Sequence, residues 1–420
     1  MKKKKVVLIS AIIVVLLIII SIISVIAIQK HNKEEQKKQE EQLLQTINSH
    51  YNEYVKTIKE TTLYKKENDK YIEYGKINKD VNIILDETKI NLDTKYFYIK
   101  DLDLYIKYED VEKIDEYTKD DRYKYYIYFN QNITTKEKTS FYDIDGNFMY
   151  TINKSFDFKV LIKEDDSYGV IYNDELLFVK HEDVEKIYDN HNTDEKNKRK
   201  IKTLTYHFLY DSEKETCDQS ICQSLNQFES HLKYIRENNY FTLKLNELEL
   251  YMDGKIQIPE KSIVLTIDDG TIFNTDAIKL LEEYDANATL FVITDWVPVT
   301  HLQSENLDLE SHTHNMHNQY ECKGYGSQGG GILCLDEEYV LEDLKTSQEK
   351  LGGSKYFAYP FFDFNDRAIS LLKKAGFKLA FIGQYDTDGY SYPGVTDNYK
   401  LRRTTIFSDT SMEEFKSYLK

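Results

Sequence analysis

The sequence predicts a mixed α/β protein whose C-terminal half is an α/β domain with a parallel, barrel-like sheet. Three observations carry this. From residue 201 onward, short runs rich in β-branched and aromatic residues alternate with amphipathic helical runs, the pattern of parallel strands joined by crossover helices. Between 71 and 190 the period falls to two, with Asp, Asn and Gly at the breaks, which reads as short antiparallel strands. The chain opens on a single long apolar run.

That run is Val6–Ile28, apolar apart from Ser10, Ser21 and Ser24 and preceded by Lys2 to Lys5. As a helix it would be about 35 Å long, enough to cross a bilayer and longer than a usual signal-peptide core. Residues 1–29 are therefore expected to be a short tail and a transmembrane signal-anchor at residues 6–28. A signal peptide cleaved near Ala27 is the alternative. Lys30, Lys33, Lys37 and Lys38 follow the run closely, so charge bias leaves the orientation open. The very short tail and the cysteines place the body outside.

Residues 30–70 carry Leu43, Leu44, Ile47, Tyr51, Tyr54, Val55 and Ile58 at helical spacing among Lys, Glu and Gln. They read as a helical stalk, self-associating or simply solvated. Over 71–190 the stretches KYFYIKDLDLYIKY and KYYIYFNQNI alternate, and YEDVEKI at 108–114 returns as HEDVEKI at 181–187. Two copies of a small β module are expected; by pattern they resemble SH3-like wall-binding modules, with a structural spacer as the alternative. DNHNTDEKNKRK supplies a polar linker, placed at 191–200.

Residues 201–420 form the last domain. KTLTYH, SIVLTIDD, ATLFVI, YFAYPF and FKLAFIG read as strands, while FESHLKYIRENN, NTDAIKLLEEYD, VLEDLKTSQEKLGG and AISLLKKAG read as helices. The four cysteines fall as two local pairs, Cys217/Cys222 and Cys322/Cys334. Short loops close at least cost, so two local disulfides and an oxidising, extracytoplasmic setting are expected. A zinc cluster fits these spacings less well. The net charge of −17 offers no basic face for nucleic acid.

In such a fold the functional groups collect at the carboxyl ends of strands. Asp268 and Asp269 end one strand and His207 ends another; SHTHNMH, 311–317, adds His312, His314 and His317. Imidazoles with a carboxylate suit zinc or a similar divalent ion. GYGSQGGGILC, 324–334, lacks phosphate-loop spacing and reads as a flexible rim. Trp296 and Tyr359 are aromatic candidates to stack on a ligand ring or to pack the core.

TIDDG, SHTHNMH and AYPFFDFN, in that order, resemble the three leading motifs of the polysaccharide deacetylases of carbohydrate esterase family 4, the NodB-like group. The histidine spacing resembles the poly-N-acetylglucosamine deacetylase branch. The resemblance implies a distorted, deacetylase-type (β/α) barrel over 201–420. It implies Asp269, His312 and His317 as ligands of one divalent metal ion, zinc first, with cobalt or nickel accepting the same ligands. Asp268 becomes the general base toward water, and the Phe361 backbone N–H a donor to the oxyanion. His314 matches no ligand position. The arginine that usually opens the third motif is missing, and Arg403 is the candidate to replace it. The late general-acid histidine is missing too. Either a circular permutation lets His207 supply it, or the acid is absent. The implied reaction is hydrolysis of acetamide groups on an extracellular polysaccharide, with peptidoglycan first and an N-acetylglucosamine exopolysaccharide next. An inactive wall-binding protein is the alternative. A glycoside hydrolase fits worse, because adjacent acids cannot flank a glycosidic bond.

Overall fold

The computed structural model describes residues 21–39, 41–42, 53–86, 95–100, 102–115, 122–172, 175–189, 200–302, 304–322, 329–383 and 389–420. Helix α1, residues 21–39, is exposed along its length. Most of the expected membrane span lies outside the described residues, and among those no helix is long and apolar enough to cross a membrane. Two compact units follow from the chain's contacts. One comprises Met1–Asp121, Ile133–Phe158 and Gly169–Ile187; the other comprises Arg122–Asn132, Lys159–Tyr168 and Tyr188–Lys420.

The first unit corrects the expected stalk. Strands begin at Tyr54, so residues 30–70 are not one helix. Val55 and Thr57 are buried while Tyr54 and Lys56 are half-exposed, and Val55 lies between Ile83 and Lys113 on two neighbouring strands. Over so short a stretch, helical spacing and alternation overlap, and strand partners decide.

The internal repeat is visible as architecture. The strands are β1 (Tyr54–Thr57), β2 (Thr61–Glu67), β3 (Lys70–Ile77), β4 (Asn82–Ile84), β5 (Tyr96–Ile99), β6 (Leu104–Lys107) and β7 (Val111–Lys113). They are followed by β8 (Gln131–Thr135), β9 (Thr139–Tyr142), β10 (Phe148–Ile152), β11 (Asp157–Lys159), β12 (Ile162–Lys163), β13 (Ser167–Tyr172), β14 (Glu175–Lys180) and β15 (Val184–Asp189). The pairing order β4-β1-β7 recurs as β11-β8-β15. Along a second sheet the order β13-β14-β9-β10 is answered by β3-β2-β6-β5. The halves join where Ile152 faces Gly75 and Tyr150 faces Ile77. A Cβ on Gly75 would lie 2.0 Å from the Thr151 carbonyl oxygen, so only glycine allows that approach. Both copies of the repeated heptapeptide form a 3-10 turn, Tyr108–Asp110 or His181–Asp183, that leads into a strand. Ile58 N–H donates to the Asp110 carbonyl, and Lys136 N–H donates to that of Asp183.

In the second unit the strands are β16 (Ile201–Tyr206), β17 (Phe208–Tyr210), β18 (Cys222–Ser224), β19 (Phe241–Thr242), β20 (Ser262–Asp269), β21 (Ala288–Val292), β22 (Leu307–Ser311), β23 (Gln319–Tyr320), β24 (Gly329–Gly330), β25 (Tyr356–Ala358), β26 (Leu379–Phe381), β27 (Tyr390–Ser391) and β28 (Thr404–Thr405). The helices are α2 (Leu225–Glu237), α3 (Leu245–Met252), α4 (Asp276–Glu283), α5 (Glu337–Lys350), α6 (Asp366–Ala375) and α7 (Met412–Tyr418). The central run β26-β25-β22-β21-β20-β16 is parallel throughout. Every residue of β20 is buried, as expected for a parallel strand covered on both faces.

One short segment reaches from one end of this parallel run to the other. Leu401 bridges Phe381 of β26, and β28 pairs with β16 at Leu204 and Thr205. First in the domain's sequence, β16 thus sits between β28, near its end, and β20. Helix starts are capped: Ser224 and Gln227 form a capping box on α2, Asp336 caps α5 and Asn365 caps α6, which fixes where each crossover begins. Arg122–Asn132 and Lys159–Tyr168 are absorbed into this unit by specific bonds. Arg122 donates to both Glu247 carboxylate oxygens, at 2.8 and 2.6 Å, and Lys255 pairs with Glu164 at 2.6 Å.

Candidate active site and metal centre

The carboxyl ends of β16, β20 and β22 bring the charged groups together. β20 delivers Asp268 and Asp269, both buried. Asp269 has a φ of 68° and Gly270 one of 77°, so the chain leaves the strand through the left-handed region. Past the end of β22, Thr313 has a φ of 79°, rare for a β-branched residue. After β25, Phe361 and Phe362 have φ of 58° and 62°. Backbone strain of this kind clusters where a site over-determines the chain.

Asp269, His312 and His317 each offer a ligand atom, and these atoms lie within 4.8 Å of one another. Asp269 Oδ1 is 3.3 Å from His312 Nε2 and 3.1 Å from His317 Nε2. His312 Nδ1 lies 2.8 Å from the Ala358 carbonyl. A carbonyl only accepts, so Nδ1 carries the hydrogen and the neutral ring turns an Nε2 lone pair toward Asp269. Asp269 Oδ1 is buried without a hydrogen bond of good geometry. An orphaned carboxylate oxygen facing two imidazole nitrogens fits a shared divalent cation. A proton plays the same part where no cation is bound: against burial, Asp269 and Asp268 hold the His312 pKa above its ordinary value. Burial works against ionised Asp269, yet the two imidazoles hold it far below the usual carboxylate range.

Asp268 faces a different partner. Arg403, fully buried on segment 401–405, donates from Nη1 to Oδ1 at 2.7 Å and from Nη2 to Oδ2 at 2.9 Å. Burial alone would raise the Asp268 pKa; Arg403, then His312 and His207, outweigh it and keep the group ionised. Three aromatic rings, Phe362, Phe291 and Phe381, surround the guanidinium at 5.2 to 5.9 Å. Arg403 thus brings a guanidinium to Asp268 from outside the third motif.

His207 follows β16, whose Tyr206 pairs with Ile267, so it stands beside Asp268. Its Nδ1 is buried with no hydrogen-bond partner. Burial pushes its pKa down, and Asp268 and Asp269 pull the other way. His314 turns away, with its Nδ1 3.0 Å from Thr294 Oγ1. Phe361 lies beside the His317 ring at 4.6 Å, and Trp296 meets that ring edge-on at 5.7 Å. Trp296 is 44% exposed and Phe361 37%, so both present open surface next to the proposed ligands. Tyr359 is fully buried and belongs to the core.

Both local disulfides are formed, Cys217–Cys222 and Cys322–Cys334. The glycine-rich stretch differs from the expected flexible rim. Residues 323–328 lie outside the described residues, but Gly329, Gly330 and Gly331 are buried. Gly330 N–H donates to Asp363 at 2.9 Å, and a Cβ on Gly330 would press on the Pro360 carbonyl oxygen at 3.2 Å. These glycines allow close backbone packing under the Pro360 turn. Sequence reasoning also missed Asp343 of α5, which accepts the backbone N–H groups of His314 and Asn315. A lone acid on a helix gives no sequence signal of such a role.

Residues 255–380 match the family model for polysaccharide deacetylase. A poly-β-1,6-N-acetyl-D-glucosamine N-deacetylase of Staphylococcus aureus is 30% identical over 198 residues, covering 41% of this chain and 64% of that enzyme. Among solved structures, a de-N-acetylase of Aggregatibacter actinomycetemcomitans is 21% identical with a TM-score of 0.45, covering 52% of this chain and 100% of that one. A Streptococcus pyogenes deacetylase in complex with acetate is 22% identical with a TM-score of 0.42, covering 53% and 99%. Residues 255–380 of this chain are thus similar to the polysaccharide deacetylase family, and Asp268, Asp269, His312 and His317 all fall inside the matched stretch.

Proposed function

We propose that the second unit is a metal-dependent N-deacetylase that hydrolyses acetamide groups of N-acetylglucosamine in an extracellular polysaccharide. The observation that carries this is the convergence of Asp269, His312 and His317 beside an Asp268 held by Arg403. The staphylococcal relative is named for poly-β-1,6-N-acetyl-D-glucosamine, which moves that polymer ahead of peptidoglycan as the first substrate to try. The two disulfides support an extracytoplasmic site, with Val6–Ile28 as the proposed membrane anchor. Self-association through 30–70 keeps little support once strands begin at Tyr54.

A divalent ion held by Asp269, His312 and His317, zinc first and cobalt or nickel next, would supply Lewis acidity toward the acetamide carbonyl and the attacking water. Asp268 takes a proton from that water, and Arg403 keeps it ionised and aimed. The Phe361 N–H donates to the carbonyl oxygen as it gains charge. The proton that Asp268 takes up passes by way of the neighbouring His207 to the leaving nitrogen. A C–O bond forms, the C–N bond breaks, and the products are acetate and a free amine on the sugar. Trp296 and Phe361 form an apolar wall against which a sugar ring can stack.

The test is acetate release from β-1,6-linked N-acetylglucosamine oligomers, chitooligosaccharides and peptidoglycan fragments. His207→Ala is expected to lose about 10²- to 10⁴-fold in turnover while its zinc content stays that of the wild type. Binding without acetate release from any of the three would support the inactive, wall-binding alternative.

A further inference from the structure

We propose that Asp343, on α5, is the positioning residue that fixes the spacing between His312 and His317; this rests on the metal-centre reading above. Between the two imidazoles the chain turns at Thr313, in a conformation that a β-branched residue adopts only under constraint. The turn takes the next two amides away from the end of β22. Buried N–H groups need acceptors. Asp343 accepts both: His314 N–H donates to Oδ1 at 2.8 Å, and Asn315 N–H donates to Oδ2 at 2.7 Å. The carboxyl group is buried, on a residue only 6% exposed.

The helix that carries this clamp is itself fixed to the same strand. Ser347, one turn along the same face, meets Ser311 hydroxyl to hydroxyl at 2.8 Å. Val340 and Leu344 share a buried cluster with Met316, which lies inside the histidine loop. From the other side, Thr294 N–H donates to the Thr313 carbonyl and Asp295 N–H to that of His314. The loop is therefore gripped from the end of β21 and from α5, and Asp343 supplies the charged half of the grip. An asparagine cannot replace it. It has one acceptor oxygen, and its NH₂ would face a backbone N–H. Loss of one bond lets Thr313 relax and moves His317 Nε2 relative to Asp269 and His312. Partners that orient metal ligands typically alter affinity by about 10- to 100-fold when removed.

The experiment measures the zinc dissociation constant of the full chain by competition with a chromogenic chelator, alongside melting of the metal-free protein. Asp343→Asn is expected to weaken zinc binding about 10- to 100-fold. Ser347→Ala loosens the same helix without touching the loop amides, and should stay within about threefold. Asp343→Glu keeps both acceptors but displaces them by a methylene, and should fall between the two. Wild-type affinity in Asp343→Asn, or an equal loss in Asp343→Asn and Ser347→Ala, would overturn the proposal. Should Asp343→Asn fail to fold, unchanged affinity in Asp343→Glu would overturn it instead. A wild-type chain that binds no zinc would overturn the metal centre as well, a result distinct from the others.

Discussion

Arg403 reaches Asp268 with both ends of its guanidinium, at 2.7 and 2.9 Å, and neither side chain touches solvent. Removing one partner from such a pair leaves a buried charge without compensation, at a cost of about 3–5 kcal/mol. Arg403→Ala should therefore lower the melting temperature by roughly 10 °C and abolish turnover. Asp268→Asn keeps the volume and one acceptor for the guanidinium; zinc should still bind, while acetate release falls about 10²- to 10⁴-fold. Asp269→Asn should lose zinc outright, because the orphaned Oδ1 is the atom two imidazoles face. Two neighbours in sequence would then fail in different assays. The pair Asp268–Asp269 and the histidines were legible because each motif is local in sequence. Arg403 and His207 were legible only as suggestions, since nothing local says that opposite ends of the domain meet at one rim. Asp343 was not legible, because its partners are backbone amides on a distant loop.

Helix α2 carries a buried histidine outside the site. His231 stacks on Phe415 of α7 with ring centroids 3.9 Å apart, and its Nδ1 lies 3.1 Å from the Tyr206 hydroxyl. Burial pushes its pKa down to about 4. The unfolded chain, with a pKa near 6.5, takes up this proton more readily than the folded one. Stability is thus complete above about pH 6.5 and declines as pH falls toward 4, by up to about 3 kcal/mol. Urea midpoints at pH 7 and pH 4.5 should show this, and His231→Leu should flatten the difference. Helices α2, α4, α5 and α6 and strands β16, β20, β21, β25 and β26 were readable from the alternation of apolar and helical runs, whereas α3, α7 and β22 were not singled out. The segment Leu401–Thr405 was not readable either, since bridges to β26 and β16 rather than a periodic pattern tie it to the sheet. Tyr54–Thr57 was misread as stalk for the related reason that four residues cannot distinguish a helix from a strand. Gly329–Gly331 were misread because composition alone suggests mobility, whereas here small residues permit close packing; Gly331→Ala would meet Leu335 at 2.7 Å and Tyr320 at 2.8 Å, and should cost about 1–3 kcal/mol.

Across the whole chain, a duplicated β unit precedes the α/β unit, and two stretches of the second copy's sequence belong to the latter. The repeat was legible from its heptapeptide; that sharing was not, because Arg122 and Glu164 look like ordinary surface charges until Glu247 and Lys255 are placed beside them. The disulfides set a condition on stability. Closing the loop between Cys322 and Cys334 is worth about 3 kcal/mol, so reduction should lower the melting temperature and loosen the packing of Gly329–Gly331 under Pro360. The most direct measurement of the central claim is acetate release by the full chain from β-1,6-linked N-acetylglucosamine oligomers, followed through chelation and the return of one equivalent of zinc. The account predicts that release stops on chelation, recovers with zinc in the wild type, and does not recover in Asp269→Asn. Acetate release that persists in the chelated protein and in Asp269→Asn would contradict it.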